Sequence, residues 1–329
     1  MASHRPDSGP ERPQPASAVP SADGFQHEPV MVHQVVALSA EIPRGTFLDA
    51  TVGGGGHSAA LLEAHPHLNI VGIDRDQVAI EAASGRLAEF GTRVQLRRAR
   101  FDELEDVLAD VGHSGQLSGF LFDLGVSSPQ LDEPGRGFSF RDDGPLDMRM
   151  DRSSPRTAAD VINTYEERDL MHLIRSHSDE RFASRIAAAI VAARPLGTTS
   201  ELAEVVVSAI PAPARRTGGH PAKRTFQAIR IEVNDELRVL RPALETALDA
   251  LVGGGRGLVL TYHSGEDRIV KHCFRDRSTT DTPPGLPVQG PAALFEIVRP
   301  IARRPTDEEI QNNPRAASAR LRVISRRAA

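Results

Sequence analysis

The chain has 329 residues, with no tryptophan, two tyrosines and one cysteine, Cys273. A lone cysteine excludes an intramolecular disulfide and any metal site built from several thiolates. Because Cys273 lies in the run Val-Lys-His-Cys-Phe-Arg, we interpret it as a buried helix position and not as a catalytic thiol. With so few of these rings, stacking on tyrosine or tryptophan cannot be the main route to a nucleic-acid partner.

Long apolar runs are also absent. No segment approaches the roughly 18 to 20 continuous apolar residues of a membrane span. Residues 1–26 are rich in Pro, Ser and Ala, a composition typical of a disordered leader and not of a signal peptide. We therefore expect a cytoplasmic protein with no membrane partner.

Positive charge is in deficit overall but is locally concentrated. The formal net charge of −5 argues against a protein that coats nucleic acid by charge alone, and no DNA partner is expected. Two basic segments stand out, one with Arg215, Arg216, Lys223 and Arg224, and one with eight arginines from Arg299 onward. Such runs are commonly solvated surface, but on an acidic chain they leave room for a local phosphate-binding face.

Short apolar runs alternate with helical patterns, which predicts an α/β fold with a mainly parallel sheet and helices on both faces. The predicted strands are 45–50, 69–74, 94–99, 117–123 and 256–262, with a final pair at 295–298 and 321–324. The first helix is expected over 30–42, and Gly253–Gly255 is expected to end the helix before the fifth strand. We expect an α/β domain over 27–135 and 219–329, interrupted by a helical insertion over 136–218.

Three predicted strands end in an acid, at Asp49, Asp74 and Asp123, and a glycine turn at residues 53–57 follows the first of them. Ligands of open parallel sheets lie beyond the carboxyl ends of the strands. The run from Gly54 to Ala59 also fits the dinucleotide fingerprint. This turn alone therefore leaves three interpretations open: a nicotinamide cofactor, S-adenosylmethionine, or a structural turn. His57 has no partner at metal-ligand spacing, and we expect no metal.

Four segments carry a specific resemblance: residues 122–130, 136–151, 220–237 and 262–271. Together they closely resemble the bacterial RsmH (MraW) family, and the resemblance runs from about residue 27 to 326. It implies a class I, Rossmann-like methyltransferase fold with an inserted helical domain. The methyltransferase domain would then be residues 27–135 and 219–329, and the insertion over 136–218 is a candidate RNA-recognition domain. It also implies S-adenosylmethionine as cofactor and N4 of a cytidine in the decoding centre of 16S ribosomal RNA, within the small ribosomal subunit, as target.

The resemblance also implies which residues contact the cofactor. They are Gly55, Gly56, His57, Asp74, Phe101, Asp123 and Gln130. The chain departs from the family in the run Met-Val-His-Gln at 31–34 and at Tyr262 and Gly265, where Phe and Leu are usual. We expect neither departure at 262 or 265 to touch a cofactor contact, and Gly265 to loosen the loop after His263.

For catalysis, we expect Asp123 to position the cofactor or the amine. The loop with Ser127, Ser128 and Gln130 is expected to supply hydrogen-bond acceptors. His263 is a second candidate for contacting the base or taking a proton, and a histidine that holds its own backbone is the alternative. A nicotinamide-dependent oxidoreductase and a catalytically inert RNA-binding module are the competing functions. The residues leave a homodimer open.

Overall fold

A computed structural model describes residues 29–112, 116–216, 219–280, 292–299 and 303–328, with the side chains of Ser128 and Pro129 excepted. The predicted leader, residues 1–26, lies outside the described residues.

Seven strands form one sheet in the order β3-β2-β1-β4-β5-β7-β6. The strands β1 to β5 are parallel, whereas β7 is antiparallel to both β5 and β6. Their bounds are β1 Gly45–Asp49, β2 Leu68–Asp74, β3 Val94–Arg98, β4 Leu117–Asp123, β5 Leu251–Thr261, β6 Phe295–Val298 and β7 Arg320–Arg326. The predicted α/β class and the final strand pair are confirmed. The chain order reverses between β1 and β4, which is where open α/β sheets bind ligands.

The helices flank the sheet or form a separate cluster. In the described residues they are α1 Val32–Ser39, α2 Gly56–Ala64, α3 Gln77–Leu87, α4 Leu104–Asp110, α5 Ser128–Asp132, α6 Ala158–Thr164, α7 Glu167–Ser178, α8 Ala183–Ala193, α9 Thr199–Ala209, α10 Ala212–Arg215, α11 Lys223–Asn234, α12 Glu236–Ala250, α13 Ser264–Ser278 and α14 Asp307–Asn312. The first helix is shorter than predicted because Met31, at its amino end, has left-handed backbone angles.

The strand periodicity divides the apolar residues between the two faces of the sheet. On β4, Leu121 packs with α1, α2 and α3, whereas its neighbours Phe120 and Phe122 pack with α4, α12 and α13. Successive side chains of a strand point to opposite faces, so one apolar strand contributes to both cores. Cys273 of α13 belongs to the second of these cores and is fully buried, as expected.

Two glycines make room for aromatic rings on the neighbouring strand. Gly119 of β4 is paired with Phe47 of β1, and Gly257 of β5 is paired with Phe120 of β4. A Cβ atom on Gly119 would lie 2.8 Å from the Phe47 ring, and one on Gly257 would overlap the Phe120 ring. The absence of these side chains lets large rings lie flat against the sheet.

Helices α6 to α11 (residues 158–234), here the helical unit, bury a third apolar cluster with residues 138–150. This cluster includes Phe226, Ile229 and Val233, so α11 packs with the helical unit although it follows residue 218.

The three glycines at 253–255 do not end a helix. They lie inside β5, which begins at Leu251, and the pairing of β4 with β5 shifts register in this region. The predicted end of this helix was therefore wrong, because α12 ends at Ala250 and the strand begins at the next residue.

We predict that Gly257→Ala and Gly85→Ala change stability in opposite directions. The first adds a methyl group against the Phe120 ring, and overpacking should lower the free energy of unfolding by about 1–3 kcal/mol. Gly85 is exposed in α3 with no atom within 4 Å of an added Cβ, so alanine should raise stability by about 0.5–1 kcal/mol through helix propensity. Urea unfolding of the two variants and the parent measures this, and equal effects would contradict the proposed packing.

Candidate active site

The glycine turn after β1 is closely packed on one side and open on the other. Gly55 precedes α2 with φ of 77°, and a Cβ there would lie 3.2–3.3 Å from atoms of Leu87 and Ala83 in α3. A side chain on Gly56 would overlap Pro29. Gly54 instead has no atom within 4 Å of an added Cβ. Packing against α3 and Pro29 therefore requires Gly55 and Gly56, and Gly54 leaves free space beside the turn.

Asp74, at the end of β2, ties that turn to its own strand. Its carboxylate accepts hydrogen bonds from the backbone N–H groups of Gly53 at 3.0 Å and Asp76 at 2.9 Å. Burial raises the pKa of Asp74 to about 6, against the opposing effect of these two hydrogen bonds.

Asp123 lies at the end of β4, and one of its two carboxyl oxygens accepts a hydrogen bond. Its Oδ1 accepts a hydrogen bond from the Tyr262 hydroxyl at 2.6 Å. Burial raises the pKa of Asp123 to about 7, although the Tyr262 hydrogen bond acts in the opposite direction. The second oxygen, Oδ2, lies 3.7 Å from Nδ1 of His57. Burial lowers the pKa of His57, so the imidazole stays neutral near pH 7 and does not offset the carboxylate charge.

Asp49 completes a group of three strand-end carboxyls, and its side chain is held by Ser58, whose hydroxyl donates at 2.6 Å. Burial raises the pKa of Asp49 to about 6. Among the described residues, no lysine or arginine forms an ion pair with Asp49, Asp74 or Asp123. Buried carboxyls without a cation favour a positively charged ligand.

This charge distribution distinguishes the two cofactors that the turn alone left open. S-adenosylmethionine has a sulfonium and an ammonium group, which three uncompensated carboxyls attract. A nicotinamide dinucleotide has a pyrophosphate, which they repel. In the turn itself, the N–H groups of Gly53 and Gly55 donate to Asp74 and to the Val52 carbonyl, so they do not form a phosphate cradle. The residues present therefore fit S-adenosylmethionine.

Phe101 and Gln130, which the resemblance assigned to the cofactor, have different surroundings. Phe101 is half-buried after β3 and contacts Phe122 edge-on, with ring centroids 5.2 Å apart. Gln130 is buried, and its amide is engaged at both ends: it accepts from the Ser127 N–H at 3.1 Å and donates to Asp76 at 3.1 Å. Gln130 therefore holds the loop after β4 in place. The side chain of Ser128 lies outside the described residues.

An ion pair that the sequence reasoning missed anchors this loop to the helical unit's apolar cluster. Asp76 accepts a 2.7 Å hydrogen bond from Arg136, and both side chains are buried. Arg136 also donates to the carbonyls of Arg149 and Met150. The sequence did offer a signal for Asp76, because an aspartate just before a helix commonly caps that helix. Asp76 does cap α3, accepting from the Val78 N–H.

His263 and its neighbours correct two expectations. The Tyr262 hydroxyl contacts Asp123, so this departure from the family does touch an expected cofactor residue. Gly265 does not loosen a loop, because it lies in the first turn of α13. The Nδ1 atom of His263 accepts from the N–H groups of Gly265 and Glu266 at 3.2 and 3.4 Å. The Nε2 atom lies 3.0 Å from Glu266 Oε1 but makes no hydrogen bond among the described residues. His263 therefore holds its own backbone through Nδ1.

The four basic residues expected to contact RNA all lie on the helical unit, and all are exposed. Arg215 donates to the carbonyls of Ile210 and Ser208 and so caps the end of α9. Arg224 lies 3.8 Å from Glu180.

Two kinds of feature were not found in the described part of the chain. No group of three or more His, Cys, Asp or Glu side chains is arranged to hold a metal ion. No helix there is long and apolar enough to cross a membrane.

The strand order, with β7 antiparallel, and the carboxyl groups at the ends of β1, β2 and β4 define a class I methyltransferase. The chain belongs to the MraW methylase family, which it matches over residues 24–327. S-adenosylmethionine is the methyl donor of this class, as the sequence predicted.

Curated relatives cover almost the whole chain. The "Ribosomal RNA small subunit methyltransferase H" of Mycobacterium sp. (strain KMS) is 51% identical over 321 residues, which cover 94% of this chain and 86% of the relative. The protein of the same name from Thermobifida fusca (strain YX) is 50% identical and covers 99% of both chains. A solved SAM-dependent O-methyltransferase from Thermotoga maritima matches with a TM-score of 0.39 and 9% identity, over 91% of this chain and 65% of that one.

We predict that Tyr262→Phe shifts the pH dependence of S-adenosylmethionine binding upward. Affinity for this cation should rise with pH as Asp123 ionises. Because the tyrosine hydrogen bond lowers the pKa of Asp123, its loss should move the midpoint up by roughly one pH unit. Calorimetry between pH 5 and about 9 measures the midpoint. The chain's other tyrosine supplies the control: Tyr165 donates to Glu232 in the helical unit, and Tyr165→Phe should leave the midpoint unchanged. A midpoint that moves equally in both variants contradicts the assignment.

Proposed function

We propose that this protein transfers a methyl group from S-adenosylmethionine to N4 of a cytidine in the decoding centre of 16S ribosomal RNA, within the small ribosomal subunit. The observation that carries the proposal is the Asp123 carboxyl, half-buried and hydrogen-bonded to Tyr262 at the carboxyl ends of the parallel strands. The names of the relatives support an rRNA substrate of the small subunit. The four resembling segments support the choice of cytidine N4. A ribosomal substrate is consistent with the expected cytoplasmic location.

The difficulty of this reaction lies in the nucleophile. When bound, S-adenosylmethionine supplies a methyl group that is already activated on a sulfonium. The N4 lone pair of cytosine, however, is delocalised into the ring. An acceptor that binds an amino hydrogen favours a pyramidal nitrogen and offsets the positive charge that grows on it.

Asp123 is the acceptor that fits this task best. Its Oδ1 is occupied by the Tyr262 hydroxyl, which leaves Oδ2 to accept an N4 hydrogen. As the new carbon–nitrogen bond forms and the carbon–sulfur bond breaks, N4 releases one proton. A pKa of about 7 allows the Asp123 carboxylate to take that proton and return it to water. His263 is a weaker candidate because its Nδ1 lone pair already accepts from the backbone of α13.

The competing functions are disfavoured by the same group of carboxyls. A nicotinamide-dependent oxidoreductase would have to place a pyrophosphate beside Asp49, Asp74 and Asp123. A catalytically inert RNA-binding module would have no need for a buried carboxyl at a pKa of about 7, and such groups cluster at functional sites.

We predict that Asp123→Asn greatly reduces methylation, because an amide cannot take the proton. The loss should be roughly 10²–10⁴-fold, measured as tritiated methyl incorporation into unmethylated small ribosomal subunits. Asp106→Asn, on the exposed face of α4, is the matched control and should retain full activity. Mapping the modified nucleotide in rRNA then tests the position. Incorporation at another base, or full activity of Asp123→Asn, would refute the proposal.

We further propose that the exposed basic residues of the helical unit bind RNA. The double variant Arg216→Gln, Lys223→Gln should weaken binding of small ribosomal subunits while the affinity for S-adenosylmethionine stays unchanged. These two are preferred because, among the described residues, neither side chain has a contact like that of Arg215, which caps α9, or that of Arg224, which lies near Glu180. Titrations of subunits and of cofactor give the two affinities separately. Equal loss of both would indicate misfolding and would not support an RNA contact.

A further inference from the structure

A cavity lies at the carboxyl end of β5, close to the Asp123 carboxyl through Tyr262. Its volume is about 450 Å³, and it is bounded by α13 and by the segments around Arg304 and Arg320. Tyr262 and His263 form one side of it. Basic side chains line the other: Arg268, Lys271, His272, Arg304 and Arg320.

The acidic partners available to these side chains are few. Among the described residues, Asp267 is the one carboxylate that lines the cavity. It is already bound by Arg322 at 2.7 and 2.9 Å and lies 3.4 Å from Arg320. Among the described residues, no acidic side chain forms an ion pair with Lys271 or Arg304. The cavity therefore has an excess of positive charge, although the protein as a whole carries a formal net charge of −5.

Three of these basic side chains belong to α13 and line the same cavity. Arg268, Lys271 and His272 are related by three and four positions, so they share one face of the helix. Arg268 lies 3.7 Å from Asp179, but both side chains are well exposed, and this contact is weak in water. Basic groups gathered without carboxylates are suited to phosphate oxygens, which accept charge-assisted hydrogen bonds.

The position of the cavity identifies which phosphates can reach it. Tyr262 lines the cavity and also donates its hydroxyl to Asp123. One tyrosine ring therefore separates the basic cavity from the carboxyl group at which the target nitrogen would lie. An enzyme that acts on a base must take it out of the stack, and the backbone on either side of that base then needs a binding surface.

We propose that this cavity binds the RNA backbone phosphates next to the target nucleotide. This rests on the proposed function, which makes RNA the substrate. The cavity would be a second RNA-contacting surface, because residues of α13 and β7 line it and residues of α10 and α11 do not. It would position the strand and would leave the choice of base to the loop after β4.

The first test is the salt dependence of binding to unmethylated small ribosomal subunits. Removing two phosphate contacts in Lys271→Gln, Arg304→Gln should weaken binding roughly tenfold at low salt and reduce the slope of log K against log salt by about 1.4. Arg44→Gln is the matched control, because Arg44 is exposed just before β1, at the amino end of the parallel strands. An unchanged affinity overturns the proposal. So does weaker binding with an unchanged slope, since that would indicate a contact other than phosphate.

The second test uses the wild-type chain and does not depend on how a variant folds. The only two lysines are Lys223, in the helical unit, and Lys271, in the cavity. Acetylation followed by mass spectrometry should show that small subunits protect Lys271, and that protection is lost as salt is raised. If Lys271 reacts equally with and without subunits, the proposal is overturned. This result stands even if the double variant misfolds and loses S-adenosylmethionine binding, because it comes from the wild-type chain.

These results can be separated from a failure of the proposed function. Methyl incorporation by the wild-type protein reports on the reaction, whereas affinity, salt slope and protection report on the cavity. Incorporation into subunits without protection of Lys271 would refute only the cavity. Protection of Lys271 without incorporation would refute the reaction and retain the cavity as an RNA-binding surface.

Discussion

The placement of three carboxyl groups at the carboxyl ends of neighbouring strands, with Asp49 buried and Asp74 and Asp123 half-buried, is the constraint on which the rest of the structure depends. Asp49, Asp74 and Asp123 end neighbouring parallel strands, so their side chains lie on the same edge. Burial raises all three pKa values, and His57 stays neutral beside them. Folding therefore places carboxyl groups without a cationic partner where the sulfonium and ammonium groups of S-adenosylmethionine can bind. Hydrogen bonds offset part of the cost of desolvating these groups, and a cationic ligand would offset more of it.

The structure around these carboxyls serves to hold them in position. Ser58 fixes Asp49, two backbone N–H groups fix Asp74, and Tyr262 fixes Asp123. The Asp76–Arg136 pair then connects the amino end of α3 to the segment that packs with the helical unit. The cofactor edge, the loop after β4 and the helical unit are thus joined through buried polar contacts, and breaking one partner of such a pair is strongly destabilising.

Much of the fold could be predicted because it depends on local patterns. The apolar runs of β1, β2 and β4 end in acids, and the predicted bounds of β1 to β4 agree with the observed ones to within one residue at each end. The fifth strand was wrong at its start because the glycines at 253–255 suggested a helix end, whereas pairing with β4 extends the strand back to Leu251. The contact of Tyr262 with Asp123 was missed because it joins residues 139 positions apart. The division of the chain at residues 136 and 218 stays a prediction, as do the individual cofactor and RNA contacts.

The sequence by itself determined the family, the glycine turn and the acids at the strand ends, because each of these depends on residues adjacent in the chain. The tertiary structure decided what surrounds them. Only the order β1-β4-β5 brings Tyr262 to Asp123, and only the packing of α13 beside β7 gathers Lys271, Arg304 and Arg320 around one cavity. The physical reason is that charge and hydrogen bonding act through space, and no local pattern records which distant side chains the sheet will bring together.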